Sequence, residues 1–296
     1  GAPLQPSPTS MEAAKATCGL GISTACRFDN DDGCGDIVLG YGATSQIQLC
    51  NAVSAAGFAI AGAKLCCRAQ TIGAQRYGVL MCLVSLGSAS YHSTSGNTGF
   101  LMDIVPMAVT GGLLLHSAIH ALQLHANQRG EQGARLRFAI SAGATAFAVW
   151  VPWALMEAGT PAPVTWAVWA VLFGSLGAVF GVISLLIFGE YADPSGTAFR
   201  DVKLAVAFIL SGLLCTVHSF IPGLCSGAVA QFPFHALWHA FSAVSAFKSG
   251  CVLDAVLTLI TAMEQKAAEK QRKRSRSLCP LLVRMIKDAM PSQFSM

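Results

Sequence analysis

Charged side chains are scarce in this chain. They make up 11% of its 296 residues, and the mean hydropathy is +0.55, whereas a soluble globular domain carries about 25% charged residues. Several apolar stretches reach the length of about 18 residues that a helix needs to cross the hydrocarbon core of a bilayer. The composition therefore excludes an ordinary soluble domain and predicts a polytopic membrane protein built as one helical bundle.

Two further patterns are missing. The 11 cysteines include no CxxC pair, and those inside or at the edges of apolar segments are expected to be packing residues. The first 45 residues are polar and glycine-rich and contain no apolar h-region. We therefore expect no cleavable signal peptide and an irregular luminal segment over residues 1–45.

What the chain does contain is a succession of apolar spans. The pattern predicts an all-α, seven-transmembrane helix bundle over residues 46–262, followed by a basic cytosolic tail over residues 263–296. The expected spans are Gln46–Ala63, Tyr77–Tyr91, Phe100–Leu124, Phe138–Ala158, Val164–Phe188, Lys203–Ile221 and Phe232–Ala262. The last one is expected to leave the bilayer near Lys248 and to continue as a helix.

Basic residues occur in alternate loops. Loops 1, 3 and 5 and the tail carry lysine and arginine, whereas loops 2, 4 and 6 carry neither. By the positive-inside rule, the N-terminus faces the lumen or exterior and the C-terminus faces the cytosol. We therefore attribute the net charge of +4 to basic residues that orient the chain in the membrane, and we expect no nucleic-acid partner. The tail run Lys266–Arg276 is expected to orient the last span, with contact to anionic lipid headgroups as the alternative.

Five polar residues fall at the outer ends of three spans. Ser88 and His92 close the second span, Asp103 opens the third, and His235 and His239 open the seventh. Alternation of the spans places all five at a similar depth. Three imidazoles suit a catalytic zinc ion, and a nearby carboxylate can move a proton. Taken singly, Asp103 could be a helix N-cap, Ser88 a packing residue and His92 an interfacial one.

Two other histidine features compete with this cluster. His116 and His120 repeat the i, i+4 spacing on the third span. His116 follows Asp103 by about 20 Å of helix, so this pair is expected near the cytosolic face, as a polar edge or a second metal site. His218 lies near the outer end of the sixth span and could support the cluster as a partner of its ligands.

At these residues the chain resembles the alkaline ceramidases. They belong to a superfamily of seven-span metal hydrolases that includes GPI-anchor remodelling hydrolases and the adiponectin/progestin receptor group. The motifs are Ser88-x3-His92, Asp103-x2-Pro106-Met107 and His235-x3-His239. Asn51-x2-Ser54 also resembles the family's first-helix motif.

The resemblance implies a zinc cofactor held by His92, His235 and His239. Ser88 and Asp103 would then lie beside the water molecule that reacts. It implies a membrane lipid substrate, with hydrolysis of the amide bond of ceramide to a sphingoid base and a fatty acid in the endoplasmic reticulum or Golgi membrane.

The resemblance also implies two features on the luminal side. One is a calcium site, with Asp32 and Asp36 as candidate ligands, although Gln48 stands where the family carries a glutamate. A solvated acidic loop is the alternative. The other is a disulfide between Cys34 and Cys225, with Cys26 as the alternative partner.

Other functions remain open at this point. The same site chemistry would serve an ester hydrolase that acts on a phospholipid or a GPI anchor. A receptor or transporter with a structural metal is a second alternative, although no repeated pair of broken spans supports a transporter. Haem binding by the histidine pairs is a third.

Overall fold

The computed structural model describes residues 26–28, 37–41, 45–94, 97–126, 131–160, 162–191, 196–216 and 234–289. Helices dominate these residues. Six of the seven predicted apolar segments are helical over their described part to within one residue, and the first, Gln46–Ala63, is helical from Leu49 onward apart from the turn at Ala55. The helices are α1 (Leu49–Ser54), α2 (Ala56–Arg68), α3 (Ile72–Thr94), α4 (Asn97–His125), α5 (Glu131–Glu157), α6 (Ala162–Tyr191), α7 (Thr197–Thr216) and α8 (Phe234–Ala289). The first span consists of α1 and α2, which are interrupted at Ala55.

The prediction of a wholly irregular segment over residues 1–45 is wrong. Three short strands, β1 (Cys26–Phe28), β2 (Ile37–Tyr41) and β3 (Ser45–Gln48), form an antiparallel sheet in the order β1-β2-β3. Pairing runs from Val38 opposite Gln48 to Tyr41 opposite Ser45. β-branched and aromatic residues in β2 favour extended backbone. The sheet occupies Ser45–Gln48, so the first helix begins at Leu49.

Five helical segments within the described residues are long and apolar enough to cross a membrane. They are Cys50–Arg68, Thr98–Leu124, Gln132–Glu157, Ala167–Gly189 and Phe234–Lys273. Helix α3 ends in the polar sequence SASYHST, and α7 begins with Arg200, Asp201 and Lys203 within its first seven residues, which lowers the mean hydropathy of both. The five apolar helices indicate a multi-pass membrane protein.

Many large apolar side chains lie on the outside of the bundle, and several polar ones are buried inside it. Large apolar residues point outward, including Leu214 at 73% exposure and Trp150 at 59%. Buried side chains inside the bundle include Asn51, Ser88, His92, Asp103 and His239. Apolar residues on the outside suit a lipid environment, whereas polar residues inside lipid-exposed bundles must find partners.

Helix α8 is the element around which the bundle packs. It lies mainly against α7 and also contacts α1, α2, α3 and α4. Its buried residues Val252, Leu253 and Val256 join Leu65 and Tyr77 in one apolar core. Because the first turn of α8 faces the ends of α1 and α3, the residues that open this helix lie near the residues that close α3.

The basic tail is part of the same helix. The backbone of α8 continues without a break to Ala289, which confirms the expected helical continuation beyond the last span. Lys273 forms an i, i+4 ion pair with Glu269 at 2.7 Å on an exposed face. Contact of this stretch with anionic lipid stays a prediction.

The crossing of α3 and α4 depends on Gly87. A methyl group at this position would collide with the backbone carbonyl of Met102 and lie 3.0 Å from the amide nitrogen of Asp103. Backbones approach this closely in membranes only where a small residue stands at the contact. Gly87 therefore sets the distance between the helix that carries Ser88 and the helix that carries Asp103.

We expect Gly87→Ala to destabilise the protein by about 1–3 kcal/mol, because overpacking forces the two helices apart. Thermal unfolding of the purified protein in detergent measures this change. Gly143→Ala is the matched control, since a methyl group there meets nothing within 4 Å, and alanine has a higher helix propensity than glycine. Equal stability of the two variants would contradict the assignment.

Candidate metal centre

The five polar residues that were expected at a similar depth in the membrane come from the ends of three helices. Ser88 and His92 are one turn apart near the end of α3, and His235 and His239 are one turn apart at the start of α8. The i, i+4 spacing puts each pair on one face of its helix. Asp103 lies in the second turn of α4, behind the close contact at Gly87.

The three imidazoles converge on one point. The ring centroid of His92 lies 5.0 Å from that of His235 and 5.1 Å from that of His239, and the last two are 4.7 Å apart. One ring nitrogen from each residue lies within 4.8 Å of the others. Within the part of the chain that the structure describes, this is the one group of three such side chains with metal-binding geometry. It could hold a metal ion.

Burial and chemistry of the donors fit a transition metal such as zinc. His92 is 3% exposed and His239 is 4% exposed, so a bound ion would be shielded from bulk water. Three imidazole nitrogens are a common ligand set for a catalytic zinc ion, which keeps its fourth position for water or substrate. Hard cations such as calcium and magnesium prefer oxygen ligands, which this group lacks.

His239 is oriented by the first span. Its Nδ1 lies 3.1 Å from the carbonyl oxygen of Asn51 and 2.8 Å from Oγ of Ser54. The ring of Phe58 contacts it edge-on, with the centroids 6.1 Å apart. The motif Asn51-x2-Ser54 was noted in the sequence, but its contact with His239 could not be predicted. The acceptor at Asn51 is a backbone carbonyl, which a side-chain pattern does not reveal.

Ser88 and Asp103 form a second part of the site. The side chains of Ser88 and Asp103 are close enough to interact, and both residues are nearly fully buried, at 1% and 2% exposure. Oδ1 of Asp103 is buried and has no hydrogen-bond partner among the described residues. A buried oxygen of this kind is costly unless a ligand or water pairs with it, so it marks a place where a reacting group could bind.

Aromatic residues form one wall beside the histidines. The ring of Tyr91 lies 5.2 Å from His92 and 5.9 Å from Phe100. Phe100 packs with Ile104 and Trp169 in a separate apolar cluster that joins α4 to α6. The three histidines therefore border an apolar region of the bundle.

The competing histidine pair has other partners. Nδ1 of His116 lies 3.2 Å from Oγ of Ser141, and Nε2 of His120 lies 3.3 Å from Oε1 of Glu264. The guanidinium of Arg137 is close enough to interact electrostatically with both rings. A nearby positive charge disfavours a cation, so this pair is a polar contact between helices rather than a second metal site.

Several predicted site residues lie outside the described residues. They are Asp32 and Asp36 of the calcium site, Cys34 and Cys225 of the disulfide, and His218. The calcium site and the disulfide stay predictions.

A scan of the chain against protein-family models and a search of curated proteins both give no match. The functional conclusion therefore rests on the site and on the motifs that form it.

We expect the purified protein to bind about one zinc ion per chain and His235→Ala to lose it, because two imidazoles hold zinc far more weakly than three. Metal analysis after dialysis against a weak chelator measures the stoichiometry. His116→Ala is the matched control, since it removes an imidazole from the pair that has other partners. Equal loss of zinc from both variants would contradict the assignment.

Proposed function

We propose that the protein is a zinc-dependent intramembrane hydrolase that cleaves the amide bond of ceramide or a ceramide-like lipid. The observation that carries the proposal is the juxtaposition of two groups at the ends of α3, α4 and α8. One is the buried cluster His92, His235 and His239. The other is the buried pair Ser88 and Asp103, in which one carboxylate oxygen has no hydrogen-bond partner among the described residues.

The choice of an amide-linked lipid rests on the resemblance of the three motifs to those of the alkaline ceramidases. The setting is consistent with a lipid substrate, since the outer face of the bundle is apolar and an aromatic wall borders the histidines. A lipid that enters from the bilayer keeps its tails in an apolar phase while its amide reaches the buried site.

In this proposal His92, His235 and His239 hold the ion. Bound zinc would supply a Lewis acid that polarises a carbonyl group and makes a water molecule easier to deprotonate. Because the site is buried in a low-dielectric bundle, these electrostatic effects are stronger than they would be in water.

Asp103 acts as the proton carrier. Its free oxygen Oδ1 takes a proton from the water that attacks the amide carbonyl, and the same carboxyl later gives this proton to the departing amine. One C–O bond forms and the C–N bond breaks, so the products are a fatty acid and a sphingoid base. Once Asp103 has taken the proton, the Ser88 hydroxyl can donate its single hydrogen to the oxyanion, a contribution of about 3–4 kcal/mol per donor in comparable sites.

The proposed topology follows the charge pattern. All seven helical segments cross the membrane, the N-terminus lies in the lumen of the endoplasmic reticulum or Golgi, and the C-terminus lies in the cytosol. The metal centre then lies near the luminal surface.

Tags fused to the two termini should lie on opposite sides of the membrane, because seven is an odd number of crossings. In sealed microsomes, added protease should remove the C-terminal tag and spare the N-terminal tag until detergent is added. Digestion or protection of both tags together would show an even number of crossings and would overturn the topology.

The activity is tested with the purified zinc-loaded protein and two substrates, ceramide and a diacyl phospholipid, with products identified by mass spectrometry. We expect a sphingoid base and a fatty acid in equal amounts from ceramide. We expect Asp103→Asn to keep its zinc and to lose turnover by about 10²–10⁴-fold, because the amide cannot accept the proton.

Glu157→Gln is the control for Asp103→Asn, since Glu157 is an exposed carboxylate at the end of α5. Cleavage of the phospholipid alone would replace the amidase by an ester hydrolase. Bound zinc without turnover of either lipid would favour a receptor or transporter with a structural metal. Full activity of Asp103→Asn would remove Asp103 from the mechanism.

A further inference from the structure

The first span makes a contact with the metal centre that the proposed mechanism does not use. Asn51, Ser54 and Phe58 lie about one turn apart in sequence, across the interruption between α1 and α2. All three contact the ring of His239 on α8. None of them is a candidate metal ligand.

The acceptor at Asn51 determines the tautomer of His239. A carbonyl oxygen can only accept a hydrogen bond, so the 3.1 Å contact with Nδ1 requires the ring proton to be on Nδ1. In the neutral ring the lone pair is then on Nε2, which becomes the nitrogen available to a metal. The contact thus selects which nitrogen of His239 carries the lone pair that a metal would need.

Ser54 completes this arrangement. Its hydroxyl donates to the same Asn51 carbonyl at 2.9 Å, and its oxygen lies 2.8 Å from Nδ1 of His239. Since the hydroxyl hydrogen is used toward Asn51, the serine oxygen can accept the Nδ1 proton. The proton of His239 is therefore shared between two acceptors that are themselves hydrogen-bonded to each other.

The backbone is shaped to bring these groups within reach. The Asn51 carbonyl also accepts the Ala55 amide at 3.1 Å, and Ala55 has helical dihedral angles (φ −57°, ψ −25°) at the junction of α1 and α2. At Gly57 a methyl group would lie 3.3 Å from Cβ of Ala243, one turn after His239. A small residue at this position lets the first span approach α8 closely enough for a hydrogen bond to a buried ring.

We propose that Ser54, with the Asn51 carbonyl, is a positioning residue that fixes the tautomer and orientation of His239 and thereby sets the affinity of the metal centre. This inference rests on the proposed zinc centre and adds the first span to it. Partners of this kind hold metal-binding histidines in many sites, and their removal costs about 10–100-fold in metal affinity or activity.

The test compares wild type, Ser54→Ala and Ser54→Thr in the full-length purified protein. Zinc affinity is measured by competition with a chelator, and coordination geometry by the visible absorption of the cobalt(II) form. We expect Ser54→Ala to bind zinc about 10–100-fold more weakly and to change the cobalt spectrum. Ser54→Thr, which keeps the hydroxyl, should recover most of the affinity.

Ser175→Ala is the matched control. Ser175 also donates to a backbone carbonyl one turn earlier, at 2.7 Å from Val171, but lies exposed on α6. The unfolding midpoint of each metal-free variant shows whether a loss of zinc affinity results from a general loss of stability. The inference requires the midpoint of Ser54→Ala to stay at the wild-type value.

Three results would overturn the inference while leaving the metal centre intact. The first is a zinc affinity of Ser54→Ala equal to that of wild type. The second is a loss of zinc affinity in Ser54→Ala accompanied by a lower unfolding midpoint of the metal-free variant. The third is a zinc affinity of Ser54→Thr as low as that of Ser54→Ala. Failure of the wild-type protein itself to bind zinc would instead overturn the proposed function on which the inference rests.

Discussion

The structure depends on the cost of placing polar groups inside an apolar bundle. Each buried donor or acceptor must find a partner, since neither lipid nor hydrocarbon side chains can supply one. His92, His235 and His239 meet this requirement together, with rings about 5 Å apart at the ends of two helices. A metal ion that took one nitrogen from each ring would satisfy all three at once. The close contacts at Gly87 and Gly57 bring the helices to the distances at which this is feasible.

The same requirement explains why the two histidine pairs of the chain differ. Both pairs have the i, i+4 spacing, and nothing local in the sequence separates them. His120 meets Glu264 on α8, and His116 meets Ser141 on α5. Each ring of that pair thus finds its own polar partner on a neighbouring helix. The rings of His235 and His239 instead face a third imidazole, that of His92. Whether a histidine pair forms a metal site or a polar contact is therefore determined by the packing of helices that are distant in sequence.

The helices and the meeting of the three histidines could be predicted from the sequence, because apolar length and helical spacing fix both. Alternation of the spans was enough to put His92 at the same end as His235 and His239. The sheet of strands Cys26–Phe28, Ile37–Tyr41 and Ser45–Gln48 was missed, since short strands in a polar, glycine-rich segment carry little periodic signal. The role of Ser54 was also missed. It depends on a backbone carbonyl and on the packing of the first span against α8, and neither has a side-chain pattern of its own.

The length of α8 has a consequence for the tail. The helix runs for 56 residues, and about 20 of them suffice for the bilayer. At a rise of about 1.5 Å per residue, a straight continuation carries its far end about 50 Å beyond the hydrocarbon core. The Debye length in the cell is about 8 Å. When α8 continues perpendicular to the membrane, most of its basic residues therefore lie more than one Debye length from the lipid headgroups. These charges then interact with the membrane only if the helix tilts towards its surface.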